Sequence, residues 1–122
     1  MIHANSFAAY KTLNLTASQM RVIRAIQKET KAGRPASIDS LFLKYGIMPN
    51  VSSPRIGELK KMAEACHAFA LDGDEYALVC VGKVETTSKK QADAFKLEKF
   101  AVVRAAWLER HRGVGEQVKL QF

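Results

Sequence analysis

The apolar residues of this chain keep a helical period up to about residue 65 and a strand period from there to residue 81. Val22, Ile23 and Ile26 recur on one helix face and predict a helix over 17–32. Thr16-Ala17-Ser18-Gln19 has the form of a capping box at its start, and Gly33 followed by Pro35 ends it. Ser37 caps a second, short helix with Ile38, Leu41, Phe42 and Tyr45 on its inner face, and Gly46 closes it. Residues 47–51 form a compact connection into a third helix. There Ser53 caps the free amides and Pro54 fits the first helical position, where its missing N–H costs nothing. Ile56, Leu59 and Ala63, with Met62 beside them, make the buried stripe of that helix.

Residues 67–71 and 76–81 are rich in aromatic and β-branched side chains and read as two strands. Asp72-Gly73-Asp74-Glu75 between them is a hairpin turn, because Asp-Gly readily takes the positive φ angles a tight turn requires. Residues 82–87 read as a linker, and a long helix of about 89–111 starts at Thr87 or Ser88 and ends before Gly113. It carries Leu97, Phe100, Trp107 and Leu108 on one apolar face and Phe95, Val102 and Ala106 on another. One face packs on the domain. The second has no use inside a chain of this size, which makes Phe95, Val102 and Ala106 an expected dimer interface. The tail Val118-Lys119-Leu120-Gln121-Phe122 alternates like a strand, and Phe7, Tyr10 and Leu13 mark one side of an N-terminal arm. The chain divides into an arm (1–15), a helical domain with its hairpin (16–82), and a linker, long helix and tail (83–122).

Charge adds a partner to this outline. The formal net charge is +7 over 122 residues, with residues 1–35 at +5, 36–82 at −2 and 83–122 at +4. Such a balance points to an anionic partner, nucleic acid before a membrane surface. The start lacks the charged and long apolar regions of a signal peptide, and the run Tyr76 to Val81 is too short to span a bilayer. A soluble cytoplasmic protein with no membrane partner is expected. Cys66 and Cys80 are too few for a disulfide framework and, with His3, His67 and His111, lack metal-ligand spacing. No metal or cofactor is expected, and both cysteines are assigned to the core. No nucleophile, base and orienting acid stand together, and Gly113-Val114-Gly115 follows a helix instead of opening one. No enzyme is expected.

The third helix leaves Ser52, Ser53, Arg55, Gly57, Lys60 and Lys61 facing outward. Donors reach phosphates and base edges, and a glycine permits close approach. Arg21, Arg24, Lys28 and Lys31 form a stripe on the first helix that would grip phosphates beside the groove. The order helix, helix, capped helix and hairpin over 16–82 resembles winged helix-turn-helix DNA-binding domains, common in small phage, plasmid and bacterial regulators. The segment Ser53-Pro54-Arg55-Ile56-Gly57-Glu58-Leu59-Lys60 is similar to their recognition helix.

The resemblance implies a mainly α fold with a small β-hairpin, a winged helix-turn-helix followed by the long C-terminal helix. It further implies a sequence-specific, dimeric double-stranded DNA-binding protein acting as a transcriptional repressor, with Ser52, Ser53, Arg55, Lys60 and Lys61 facing DNA. The acidic turn departs from the pattern, since phosphates repel Asp72, Asp74 and Glu75. That turn is expected to face away from DNA or toward a partner protein, leaving Lys83, Lys89 and Lys90 for the backbone. The alternatives are an accessory factor for plasmid transfer, replication or recombination, and a protein-interaction adaptor on the same scaffold.

Overall fold

Local signals set the first two helices in place. In α1 (Ala17–Lys31), Thr16 Oγ1 accepts from the Gln19 amide at 3.2 Å and Gln19 Oε1 accepts from the Thr16 amide at 3.0 Å, completing the expected capping box. Ser37 and Ser40 do the same for α2 (Ile38–Tyr45), and Gly46 closes it at φ 69, a left-handed value that glycine adopts without a Cβ clash. The computed structural model describes residues 11–120, with side chains described through residue 110. Phe7, Tyr10, Gln121 and Phe122 lie outside the described residues.

Helix α3 (Pro49–Glu64) starts five residues before its expected position. Pro49 takes the first turn, Met48 stands at the N-cap without a side-chain bond, and Pro54 lies inside the helix. Either proline suits a first turn. Burial selects between them, because Ser52 belongs to the inward stripe with Ile56 and Leu59 and is carried into the helix with it. Phe42, assigned to the inner face of α2, is exposed.

After α3 the expected architecture is overturned. Four strands form one mixed sheet in the order β1 (Thr12–Leu13), β2 (Ala68–Leu71), β3 (Asp74–Glu85), β4 (Gln91–Lys99). β1 is parallel to β2, and the other pairs are antiparallel. The hairpin around Asp72-Gly73 stands as expected, but the supposed linker is the outer half of β3, and residues 91–99 are a strand instead of a helix. A single hairpin followed by a long C-terminal helix therefore does not describe this fold. The helical propensity of Gln91, Ala92, Ala94 and Lys96 is outweighed by pairing with β3 and by burial of Phe95 and Leu97. A bulge between Cys80 and Gly82 bends the longer hairpin, with Gly82 at φ 120. Helix α4 then runs Phe100–Leu120, so the tail expected as a strand is helical through Leu120.

The sheet has helices on both faces. Phe69, Leu71, Leu78, Phe95 and Leu97 meet Val22, Ile23, Ile26, Leu41, Ile56 and Leu59 of α1, α2 and α3 in the main core. The alternate positions Ala68 and Ala77 face the other way, and their small side chains admit Phe100, with Val103 and Trp107 of α4 packed beside it. Phe95, placed at a dimer interface by its sequence neighbours, is thus a core residue. It is buried, and its backbone N–H and C=O exchange bonds with Ala36 at 2.7 and 2.8 Å. Val102 and Ala106 of that set remain exposed on α4. Cys66 is buried as expected, whereas Cys80 sits on the outer half of β3 and is exposed. No helix among the described residues is long and apolar enough to cross a membrane.

Candidate nucleic-acid interface

The stripe that buries α3 also decides which polar residues it can offer. Ser52 is fully buried, and its hydroxyl has no hydrogen-bond partner, so it is not available on the outer face. Ser53 and Lys61 are exposed, Gly57 is half-exposed between them, and Lys60 lies on the flank with its ammonium 5.8 Å from the Phe95 ring centroid. Arg55 is turned toward α1. Its Nη2 is 2.9 Å from Glu58, whose other oxygen accepts from Gln19 Nε2 at 3.0 Å. The open face of α3 is therefore Ser53, Gly57 and Lys61, with Lys60 toward the sheet and Arg55 paired at the opposite edge.

The α1 stripe is divided by its partners. Arg24 holds Asp72 through two bonds of 2.6 and 2.8 Å, with Gln27 adding a third at 3.2 Å. Beside that guanidinium the Asp72 carboxyl is lowered to about 2. Arg21 reaches the Gly46 carbonyl at 3.5 Å, and Lys28 lies 5.9 Å from the Tyr45 ring centroid. Lys31 is exposed at the end of the helix.

The other acids of the β2–β3 turn are engaged as well. Asp74 pairs with Lys99, which holds its carboxyl below the usual range, and Glu75 accepts from the Thr12 hydroxyl. Deeper in, Glu29 is buried and accepts from Lys44 at 2.7 Å, Tyr45 at 2.8 Å and Arg34 at 3.1 Å. These donors, Arg34 foremost, lower its carboxyl to about 2 against the opposing cost of burial. This cluster ties α1 to α2 and fixes the orientation of the helices that carry α3.

The β3–β4 hairpin is built differently. Beyond Cys80 its residues are largely exposed, and the turn Thr86–Lys90 closes with Thr86 donating to the Lys90 carbonyl at 2.8 Å. Lys83 pairs with Asp93 at 3.1 Å across the strands. Lys89 and Lys90 have no ion-pair partner among the described residues, and neither does Lys61 or Lys31. Thr87 anchors the tip by donating its amide (3.3 Å) and hydroxyl (3.4 Å) to Asp39 at the start of α2. The long hairpin and its lysines were missed as one feature in the sequence, where they read as a linker and a helix start. The signal present was the turn-prone Thr86-Thr87-Ser88 flanked by Val84 and Ala92.

Around the remaining candidates the chemistry is structural. His67 Nδ1 accepts from the Lys11 amide at 3.2 Å, and burial pushes the Cys66 thiol up. Among the described residues no group of three His, Cys, Asp or Glu side chains could hold a metal ion. Comparison with protein-family models, curated proteins and solved structures finds no match to this chain.

Proposed function

We propose that this chain binds double-stranded DNA, with the open face of α3 against the major groove and the β3–β4 tip on the backbone. The observation that carries the reading is where charge remains uncompensated. Asp72, Asp74, Glu58 and Glu29 are each held by cations of the same chain, whereas Lys61, Lys89 and Lys90 stay exposed on two elements at its surface. Phosphates attract such lysines and release counterions as they bind. Of the helices and hairpin over 16–82 on which the resemblance rests, this reading keeps only the three helices and takes the β3–β4 tip from outside that span. The acidic β2–β3 turn plays no part.

Ser53 and Lys61 are the donors assigned to the groove, Gly57 lets the backbone approach, and Lys60 reaches DNA only by leaving the Phe95 ring. Arg55 reaches DNA only by leaving Glu58. Lys83 and the α1 residues Arg21, Lys28 and Lys31 add phosphate contacts, while Arg24 is engaged with Asp72. A repressor acting on paired half-sites needs two copies, and of the expected dimer face Val102 and Ala106 stay exposed on α4. The adaptor reading rests on the −2 charge of residues 36–82, of whose acids Asp72 and Asp74 pair with Arg24 and Lys99 from outside that segment. A role as an accessory factor in replication, transfer or recombination is separated from repression by whether the preferred site lies at an origin or a promoter.

Selection from a random duplex pool, followed by titration against salt, tests the proposal. A preferred sequence should emerge, and Lys89→Ala with Lys90→Ala should lower the log–log salt slope by about two. Absence of duplex binding even at low salt would falsify it.

A further inference from the structure

We propose that the outward face of α2 and the connection after it dock an acidic segment of a partner protein that carries bulky apolar anchors. Phe42, Leu43 and Met48 are 42, 57 and 52% exposed. Scattered apolar residues are ordinary on a surface, but here three fall within seven positions, on α2 and the connection after it. Helical spacing puts Phe42 and Leu43 beside Asp39, one turn back on the same side of α2.

Apart from Asp39 on α2 itself, the charges placed around this patch are cations. Arg21 reaches its edge at the Gly46 carbonyl, and Lys28 lies over Tyr45. On the opposite edge the bonds from Thr87 to Asp39 bring the Lys89-Lys90 tip alongside α2. Asp39 is the one acidic residue in the sequence between Thr30 and Glu58, set against Arg21, Lys28, Lys89 and Lys90, and its carboxylate accepts from Thr87. An acidic segment is attracted from both sides, whereas a second copy brings the same cations and is repelled. A duplex offers negative charge but no apolar surface to cover three hydrophobic side chains, so the occupant is a protein segment. The acidic β2–β3 turn, expected from sequence to recruit a partner, is closed by its own ion pairs.

The probe is a fluorescein-labelled synthetic peptide in which Leu and Phe recur among Asp and Glu, titrated with the full chain at low and high salt. Binding should weaken at high salt, and Leu43→Asp should weaken it about tenfold or more, as truncating a central anchor does. Met48→Ser should also weaken it while raising thermal stability, because serine caps α3 where methionine does not. Duplex binding should be unchanged in both variants. Loss of duplex binding in the wild-type chain with peptide binding retained would sink the DNA reading alone. No peptide binding at low salt, or equal binding by Leu43→Asp, overturns the proposal. So does a Leu43-dependent dimer in light scattering, which makes the patch a contact between copies. Leu43-dependent binding to phosphatidylglycerol vesicles without peptide binding overturns it in favour of a lipid surface.

Discussion

The β2–β3 turn and the β3–β4 tip are both short and polar, and each holds one non-glycine residue in the left-handed region, Asp72 at φ 53 and Lys89 at φ 62. Their charges end differently. The acidic turn lies against α1 and the end of β4, where Arg24 and Lys99 lock Asp72 and Asp74. The basic tip stands beyond the core, and its anchor to α2 is made by Thr87 and not by a lysine. Two turns with equally conspicuous charge in the sequence thus differ in what they can offer a partner. Net charge counts residues, whereas binding depends on those the fold leaves unpaired.

The hardest test of this contrast is at the root of the basic hairpin. Phe95→Ala should cost about 3–5 kcal/mol in urea denaturation, because a buried ring is replaced by a cavity. A variant that kept its midpoint and changed only association would restore the dimer-face assignment. Next comes the most deeply held acid. With its carboxyl lowered to about 2 from 4.5, Glu29 contributes stability that is fully present above the higher value and is lost as pH falls through the lower one. That contribution is about 3 kcal/mol at most. Glu29→Gln should flatten the acid limb of stability against pH.

Charge reversal at the tip addresses the exposed side of the comparison. In the duplex-binding reading, Lys89→Glu with Lys90→Glu should weaken duplex affinity about tenfold or more at moderate salt. Asp72→Asn should leave that affinity unchanged and lower the thermal midpoint slightly, as its partner Arg24 is half-exposed. A small effect of opposite sign is expected at Ser52. Ser52→Ala should leave duplex binding intact and stabilise the chain by about 1 kcal/mol, since it removes a buried hydroxyl with no partner. Weakened binding in that variant would return Ser52 to the interface.

Features that depend on near neighbours could be read along the chain. The capping box at Thr16, the cap at Ser37, the stop at Gly46 and the Asp72-Gly73 turn were legible, because each is settled by bonds within one or two turns of chain, and the apolar stripes of α1 and α3 showed in their period. Where two states have nearly equal local preference, long-range packing made the choice. Pro49 and Pro54 are both good helix starters, and burial of Ser52 chose the first. Residues 91–99 suit a helix or a strand alone, and pairing with Asp74–Glu85 made them a strand. That choice moved Phe95 from an imagined surface to the core and turned a linker into a hairpin with lysines at its tip. The ion pairs that neutralise Asp72 and Asp74 join residues 48 and 25 positions apart, a separation beyond any local pattern.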